Sequence, residues 1–398
     1  MKTTHISYVI VITTLAIACT SCQRPQGGLP CIDVRKNYPV KEVLLTDIAD
    51  VTYLYLNSNA DEYLYSGNIC AVTENTIVVA EGGYRSRGNV FFFDRNGQPK
   101  SRFNRKGNGP QEYRNLHKVL YDERADDVFI ASHLDTLIRV YSSTGMHKRD
   151  ITLPSRAKMG NELVSFDDSS LIFYDVSKEI NRFDIDYKNL STNDLTSRFF
   201  LISKSDGAVL DSLELPIAPI FLGIYHKEMR VSAIGKRLLI ESTQGVLICN
   251  PENDTVFLYG KDKSLSPVLH KTPLADATDP MTYLNNCVDM GNYQFMEVYT
   301  VRAGDVFPGV FPVKYYMRDK GTGEIFQQKL LLPDYLGKEF VIGPFSGIRF
   351  EEGVLFELDL LELKEAYAEN KLSGKLKELV ATLKADDNNV FVIAEFKY

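Results

Sequence analysis

Short apolar segments rich in Val, Ile, Phe and Tyr recur along almost the entire chain, each closed by Gly, Asn, Asp or Ser. NTIVVAEGG, GNVFFFDRNG, DDVFIAS, LIRVYSSTG, SLIFYDV, KRLLIES and NNVFVIAEFKY are examples. β-branched and aromatic residues between turn formers read as strands, and few stretches repeat apolar residues at the helical period. An all-β fold is expected, and 398 residues are too many for one simple sandwich.

A larger unit is visible within this pattern. A strand ends in an Asp/Ser/Asn-rich turn and a second strand follows, as in FFFDRNGQPKSRF, RVYSSTGMHKRDI, FLISKSDGAVLDSLEL, LICNPENDTVFLYG and YYMRDKGTGEIFQQKLLL. The turns centre on Gly97, Gly145, Gly207, Asp254 and Gly323. A tight reversal needs a positive φ, which Gly, Asn or Asp adopts at little cost. Two of the intervals between turns approach the ~40–50 residues of a four-stranded blade, and the other two require insertions. Five hairpins and one unit assembled from the termini predict a six-bladed β-propeller over 46–398, with two stacked β-sandwiches as the competing architecture. Such a ring must close, because an open edge invites aggregation. The strand near Val51 to Leu56 and the final strand, Val390 to Lys397, are the natural partners. One segment departs from β: Leu360, Leu363, Tyr367, Leu376, Leu379, Val380 and Leu383 recur at helical spacing. They predict a short helical insertion over 358–385 before the last strand, with Ser373 as an N-cap.

The N-terminus reads as an export signal. Lys2 precedes a mostly apolar run from Ile6 to Ala18, too short to span a bilayer, which needs about 20 residues. The run ends in AIACTSC, which resembles a bacterial lipobox. In such signals a Cys following small residues is acylated and becomes the first residue of the mature protein. Cys22 and Cys19 compete for that role: Cys19 follows small residues, whereas Cys22 borders polar QRPQGG. Residues 1–21 are then a signal peptide, and 22–45 are a tether and entry segment. The sequence after Cys22 lacks an acidic pair, which favours an outer membrane location facing the periplasm. Cys31, Cys70, Cys249 and Cys287 form no CxxC pair, which excludes a zinc ribbon or a dithiol redox motif; they read as buried thiols or as disulfides.

The segment Arg105-Lys106-Gly107-Asn108-Gly109-Pro110-Gln111-Glu112-Tyr113 resembles the G-x-G-P-x-E-Y core of Bacteroidota six-bladed β-propeller lipoproteins, relatives of NHL-repeat and TolB-like propellers. The family often carries a further Gly where this chain has Gln111. IDVRKNYPVKEVLLTDIADVTYLYLNS and ADDNNVFVIAEFKY also look like that family. The resemblance implies fold and address rather than chemistry. Gly107 and Gly109 permit an irregular backbone, Pro110 stiffens it, and Glu112 can hold amides or a neighbouring cation. Two readings stand: a ligand-facing loop built from Arg105, Lys106, Gly107, Asn108, Gly109, Pro110, Glu112 and Tyr113, or a connector between blades.

No catalytic residue is identified. GxxxxGK[ST], GxSxG and HExxH are absent, and Asp184-Ile185-Asp186 lacks the later oxygen ligands and the turn Gly of a calcium loop. Asp126-Asp127 reads as a turn. No metal ligand set and no cofactor are expected. Tyr84, Arg85 and Arg87 in GGYRSRG could meet an anion, and His117 and His133 could approach the propeller axis. Each of these also reads as an ordinary surface or structural residue. A net charge of −7 argues against a sequence-independent nucleic-acid binder. The expected function is therefore a lipid-anchored cell-envelope binding or scaffold protein. Its partners would be a protein, peptide or small molecule, and the membrane through the N-terminal lipid. The alternative is a metal-dependent hydrolase or lactonase-like enzyme with its site on the axis.

Overall fold

The computed structural model describes residues 28–59, 61–82, 87–132, 136–154, 157, 159–175, 180–181, 197–215, 220–221, 223–226, 229–232, 238–250, 253–272, 281–301, 312–343, 348–350 and 353–397. Cys19, Cys22, Tyr84, Arg85 and His133 lie outside them.

Six four-stranded antiparallel units follow one another along the chain among the described residues. Blade 2 comprises Asn68–Val72, Thr76–Ala80, Asn89–Asp94 and Pro99–Asn104. Blade 3 comprises Lys118–Asp122, Asp127–Ala131, Leu137–Tyr141 and His147–Thr152. Blade 4 is built from Met159–Ser165, Ser170–Asp175, Ser197–Ser203 and Val209–Leu215. Leu239–Ser242, Gly245–Ile248, Thr255–Gly260 and Leu265–Thr272 form blade 5. Met281–Met290, Tyr293–Val301, Val313–Asp319 and Ile325–Leu331 form blade 6. Blade 1 closes the ring: Ile348–Phe350, Gly353–Leu358 and Val390–Phe396 come from the C-terminal part, and Ala49–Tyr55 supplies the outer strand. The closing pair runs antiparallel from Ala49 opposite Phe396 to Tyr55 opposite Val390. The molecule is a six-bladed β-propeller.

The core lies between blades, which explains the uninterrupted apolar runs. A strand packed on both faces has no polar side to alternate with. In Asn89–Asp94, Phe91 and Phe93 pack toward blade 1, while Val90 and Phe92 pack toward blade 3. In Thr76–Ala80, Ile77 and Val79 join the first cluster, and Val78 and Ala80 the second. Each further seam has such a cluster, and the largest joins blades 5, 6 and 1 with the C-terminal helices.

The reversals at Gly97, Gly145, Gly207 and Gly323 join the third and outer strands of blades 2, 3, 4 and 6, each with φ between 75° and 81°. Asp254 does not play this part. It stands between the second and third strands of blade 5, whose equivalent reversal is at Lys263, with φ 63°. Lys at a positive φ carries no glycine signal, so the sequence pattern slips one connection at this blade.

The entry segment is part of the fold. Cys31–Asp33 adds a fifth strand, parallel, to the outer edge of blade 5, and Val40–Leu44 does the same on blade 6. Helix α1 (Leu45–Ile48) then leads into blade 1. These strands cover two edges that would otherwise expose unpaired backbone. The insertion before the last strand forms α2 (Leu360–Ala368) and α3 (Gly374–Thr382). Asp359 caps α2 by accepting from Glu362 N, whereas Ser373 precedes α3 without a side-chain cap bond. Its hydroxyl lies instead 3.5 Å from Pro333 O, in the connector from blade 6.

Candidate functional site

The Arg105–Tyr113 loop joins the outer strand of blade 2 to the inner strand of blade 3. Its hub is Tyr113, fully buried. The Tyr113 hydroxyl donates to Gly88 O at 2.6 Å and accepts from Arg105 N at 3.0 Å, while its backbone bonds Arg105 O and Gly107 N. Glu112 Oε2 accepts from Gly109 N at 2.8 Å. Arg105 Nε donates to Gly145 O at 2.8 Å, and Tyr141 Oη donates to Gln111 O at 2.9 Å. These bonds pin the loop to the outer seam between blades 2 and 3. Neither Gly107 nor Gly109 has a positive φ. Their use is space: a β-carbon on Gly107 would stand 1.9 Å from Glu112 Oε2, and one on Gly109 3.0 Å from it. The expectation that an irregular backbone required these glycines is therefore corrected; they make room for a carboxylate.

Arg87 is exposed, and its carbonyl accepts from Asn104 Nδ2. His117 stands just before the inner strand of blade 3, with its amide bonded to Ala131 O. Neither lines the axial cavity described next.

That cavity opens at the other end of the inner strands, where each turns into the second strand of its blade. It has a volume of about 450 Å³ and is lined from all six blades. Blade 2 contributes Cys70 to Glu74, blade 3 Leu120 to Arg124, and blade 4 Ser165 to Asp168. Glu241, Ser242, Thr243, Gly245 and Lys261 come from blade 5, Val288 to Met290 from blade 6, and Arg349 and Phe350 from blade 1. The carboxylates are Glu74, Asp122, Glu123, Asp167, Asp168, Glu241 and Asp289, and the cations are Arg124, Lys204, Lys261 and Arg349. Carboxylates therefore outnumber cations.

Several of these groups are held by neighbours. Buried Lys204 places its ammonium 2.8 Å from Asp122, and Arg124 pairs with Asp168 at 3.1 Å. Burial alone would raise the Asp122 carboxyl, but the hydrogen bond and charge of Lys204 hold it below the usual aspartate range. Glu123 accepts from Thr76 Oγ1 and Asn75 N across the blade 2 seam, and Asp167 accepts from Ser169 and Ser170. Asp289 differs. Its Oδ1 is buried without a hydrogen-bond partner among the described residues. Burial raises its pKa, and the more distant Lys320 and Arg318 only partly oppose this.

Beside the axial mouth, a second cavity of about 430 Å³ lies between blades 3 and 4. There Asp127, 5% exposed, is clasped by Lys148 at 2.6 Å and by Arg149, whose guanidinium also bonds Lys204 O. Asp127 is thus a buried ion-pair centre rather than only a turn residue. No group of three or more His, Cys, Asp and Glu side chains able to hold a metal ion occurs among the described residues. Cys70 and Cys249 are free thiols, and burial pushes both up to about 12.

Comparisons with known proteins agree on the architecture. A family model described as a 6-bladed beta-propeller matches residues 27–207. The chain is similar to a Bacteroides fragilis protein described as exported, at 15% identity and a TM-score of 0.59, over 90% of this chain and 99% of that one. A Bacteroides vulgatus protein aligns at 13% identity and a TM-score of 0.48, over 88% of this chain and 97% of that one. No curated protein matches. The family model carries the propeller architecture.

The carboxylate-lined mouth escaped sequence reasoning because its residues come from six separate turns. The one signal was the acidic character of segments such as VTEN, YDER and FDDSS, which begin those turns.

Proposed function

We propose that this protein is a lipid-anchored binding protein of the bacterial cell envelope, with its ligand site at the axial mouth of the propeller. The observation that carries this reading is one cavity shared by all six blades, of a size suited to a small molecule or the end of a peptide. The Arg105–Tyr113 loop serves instead as a blade connector, its polar groups engaged in its own fold. The export signal and the Cys19/Cys22 pair supply the anchor. From Cys22 to the first strand at Cys31, a fully extended chain spans at most about 30 Å. The rim of blade 5 therefore stays close to the membrane.

Two measurements test the two halves of the proposal. Replacing Cys19 and Cys22 together by Ser should move the protein from the membrane fraction to the soluble one. Retention after a salt wash would remove the lipid anchor. Native mass spectrometry of protein extracted gently from its own membranes should show a bound mass that disappears in Ser242→Trp, which fills the mouth. A bound mass that persists in that variant would place the ligand elsewhere.

A further inference from the structure

Val40, Leu44, Leu336, Leu361 and Tyr367 are exposed apolar side chains from three neighbouring pieces of chain. Val40 and Leu44 lie on the strand added to blade 6, Leu336 in the connector that follows that blade, and Leu361 and Tyr367 on α2. Contacts join the pieces. Leu44 stands opposite Leu331, Leu331 stands opposite Glu339, and Leu336 lies in the loop between those two. The Leu336 amide bonds Lys371 O between α2 and α3, and Lys338 pairs at 2.9 Å with Glu362, the neighbour of Leu361. Leu336 and Leu361 are 73% and 59% exposed. A clustered apolar surface of this kind marks a place that meets a partner or a membrane.

The chain that precedes the fold points to the occupant. From Cys22 it reaches at most about 30 Å before Cys31, where it joins blade 5. A turn carrying Arg35 and Lys36 then leads into the strand of Val40 and Leu44. Between Gln23 and Lys41 the cations are Arg24, Arg35, Lys36 and Lys41 against Asp33 alone, in a chain of net charge −7. Arg35 and Lys36 are exposed. The acids beside the leucines are already paired: Lys329 holds Glu42 at 2.8 Å and Glu339 at 3.0 Å, and Lys338 holds Glu362. The basic turn and α2 lie toward the end of the ring away from the mouth. Asn37 accepts from Lys314 Nζ at 2.9 Å, at the start of the third strand of blade 6, and α2 follows the end of the second strand of blade 1. The mouth is at the other ends of those strands. Cations beside a lipid anchor are drawn to anionic headgroups, and exposed apolar side chains enter the interfacial layer. We infer that the outer edge of blades 5 and 6, together with α2, rests on an anionic phospholipid surface. Arg35 and Lys36 meet the headgroups, Leu336 and Leu361 enter the interfacial layer, and the mouth faces away from the bilayer. This rests on the reading of the protein as lipid-anchored.

The chain has no Trp, so one introduced Trp reports its own position. The test uses protein extracted from its own membranes and reconstituted into vesicles of phosphatidylcholine and phosphatidylglycerol whose acyl chains carry bromine, which quenches indole at close range. Leu336→Trp and Leu361→Trp should each lose at least half their emission relative to vesicles without bromine. Met146→Trp, at an exposed site on the outer reversal of blade 3, should lose almost none. Adding Arg35→Glu and Lys36→Glu to Leu361→Trp should reduce the quenching at least twofold, as should omitting phosphatidylglycerol. These side chains are exposed, and wild-type melting temperatures would show that the variants fold. Quenching at Leu361→Trp no greater than at Met146→Trp would overturn the inference, as would quenching indifferent to both the charge reversal and the lipid. An unquenched patch that cross-links to a second copy would overturn it in favour of a dimer. Failure of the lipid anchor itself would appear separately, as a Cys19→Ser, Cys22→Ser protein that stays with membranes after a salt wash.

Discussion

A β-carbon on Gly145, in the outer reversal of blade 3, would stand 2.6 Å from the Phe103 β-carbon on the outer strand of blade 2. Gly97 approaches Tyr55 O, and Gly207 approaches Ile151 and Thr152, in the same way. The reversals thus have two reasons to be glycine, a positive φ and contact with the preceding blade. Gly323 has only the first, with nothing within 4 Å of its missing β-carbon. Gly323→Ala should cost about 1 kcal/mol, and Gly145→Ala about 2 kcal/mol or more, by urea denaturation. Equal losses would mean that the approach between blades contributes nothing.

The Gly107–Glu112 contact makes a double-mutant cycle informative. Gly107→Ala should destabilise by about 1–3 kcal/mol, because its methyl group would displace the Glu112 carboxylate from the Gly109 amide. In a Glu112→Ala background the same substitution should cost much less, giving a coupling of about 1 kcal/mol. Additive losses would show that the carboxylate does not occupy the space those glycines leave.

Ring closure concentrates stability in the terminal strands. Phe391 is 1% exposed and packs between blades 1 and 2. Phe391→Ala should lower stability by about 3–5 kcal/mol. Deleting residues 389–398 should abolish cooperative unfolding, because the outer strand from the N-terminus would lose the strand it pairs with in the blade. An unchanged melting temperature in the truncated protein would contradict this.

Asp122 and Asp289 should respond to pH in opposite senses. Asp122 loses its proton more readily in the folded chain. It therefore stabilises above the ordinary aspartate value of about 3.9, and this stabilisation disappears as pH falls through the lower folded value. Asp122→Asn should melt lower than wild type at pH 7, with the gap closing in acid. Asp289 holds its proton more tightly when folded. Its contribution is greatest below the unfolded value and is lost as pH rises through the folded one. Asp289→Asn should therefore gain on wild type as pH rises from about 4 to 7. Parallel melting curves for either variant and wild type would refute the corresponding assignment.

The strand pattern and turn glycines carried the blades into the sequence, because a strand buried on both faces must be apolar throughout and a tight reversal must tolerate positive φ. The pairing of the last strand with Val51 and its neighbours was legible for the same reason: a ring leaves two terminal segments to meet. Blade 5 was misread at Asp254, since Lys263 makes its reversal without a glycine. Phe92 and Phe93 read as core from sequence alone, but only the tertiary structure sends one to each neighbouring blade. The stretch 22–45 read as a tether and entry segment, and parallel pairing with blades 5 and 6 makes two parts of it, Cys31–Asp33 and Val40–Leu44, strands. Local composition determined which segments became strands, turns and helices, because those choices depend on nearby residues. The axial mouth depends on which distant turns converge, and only the closed ring decides that.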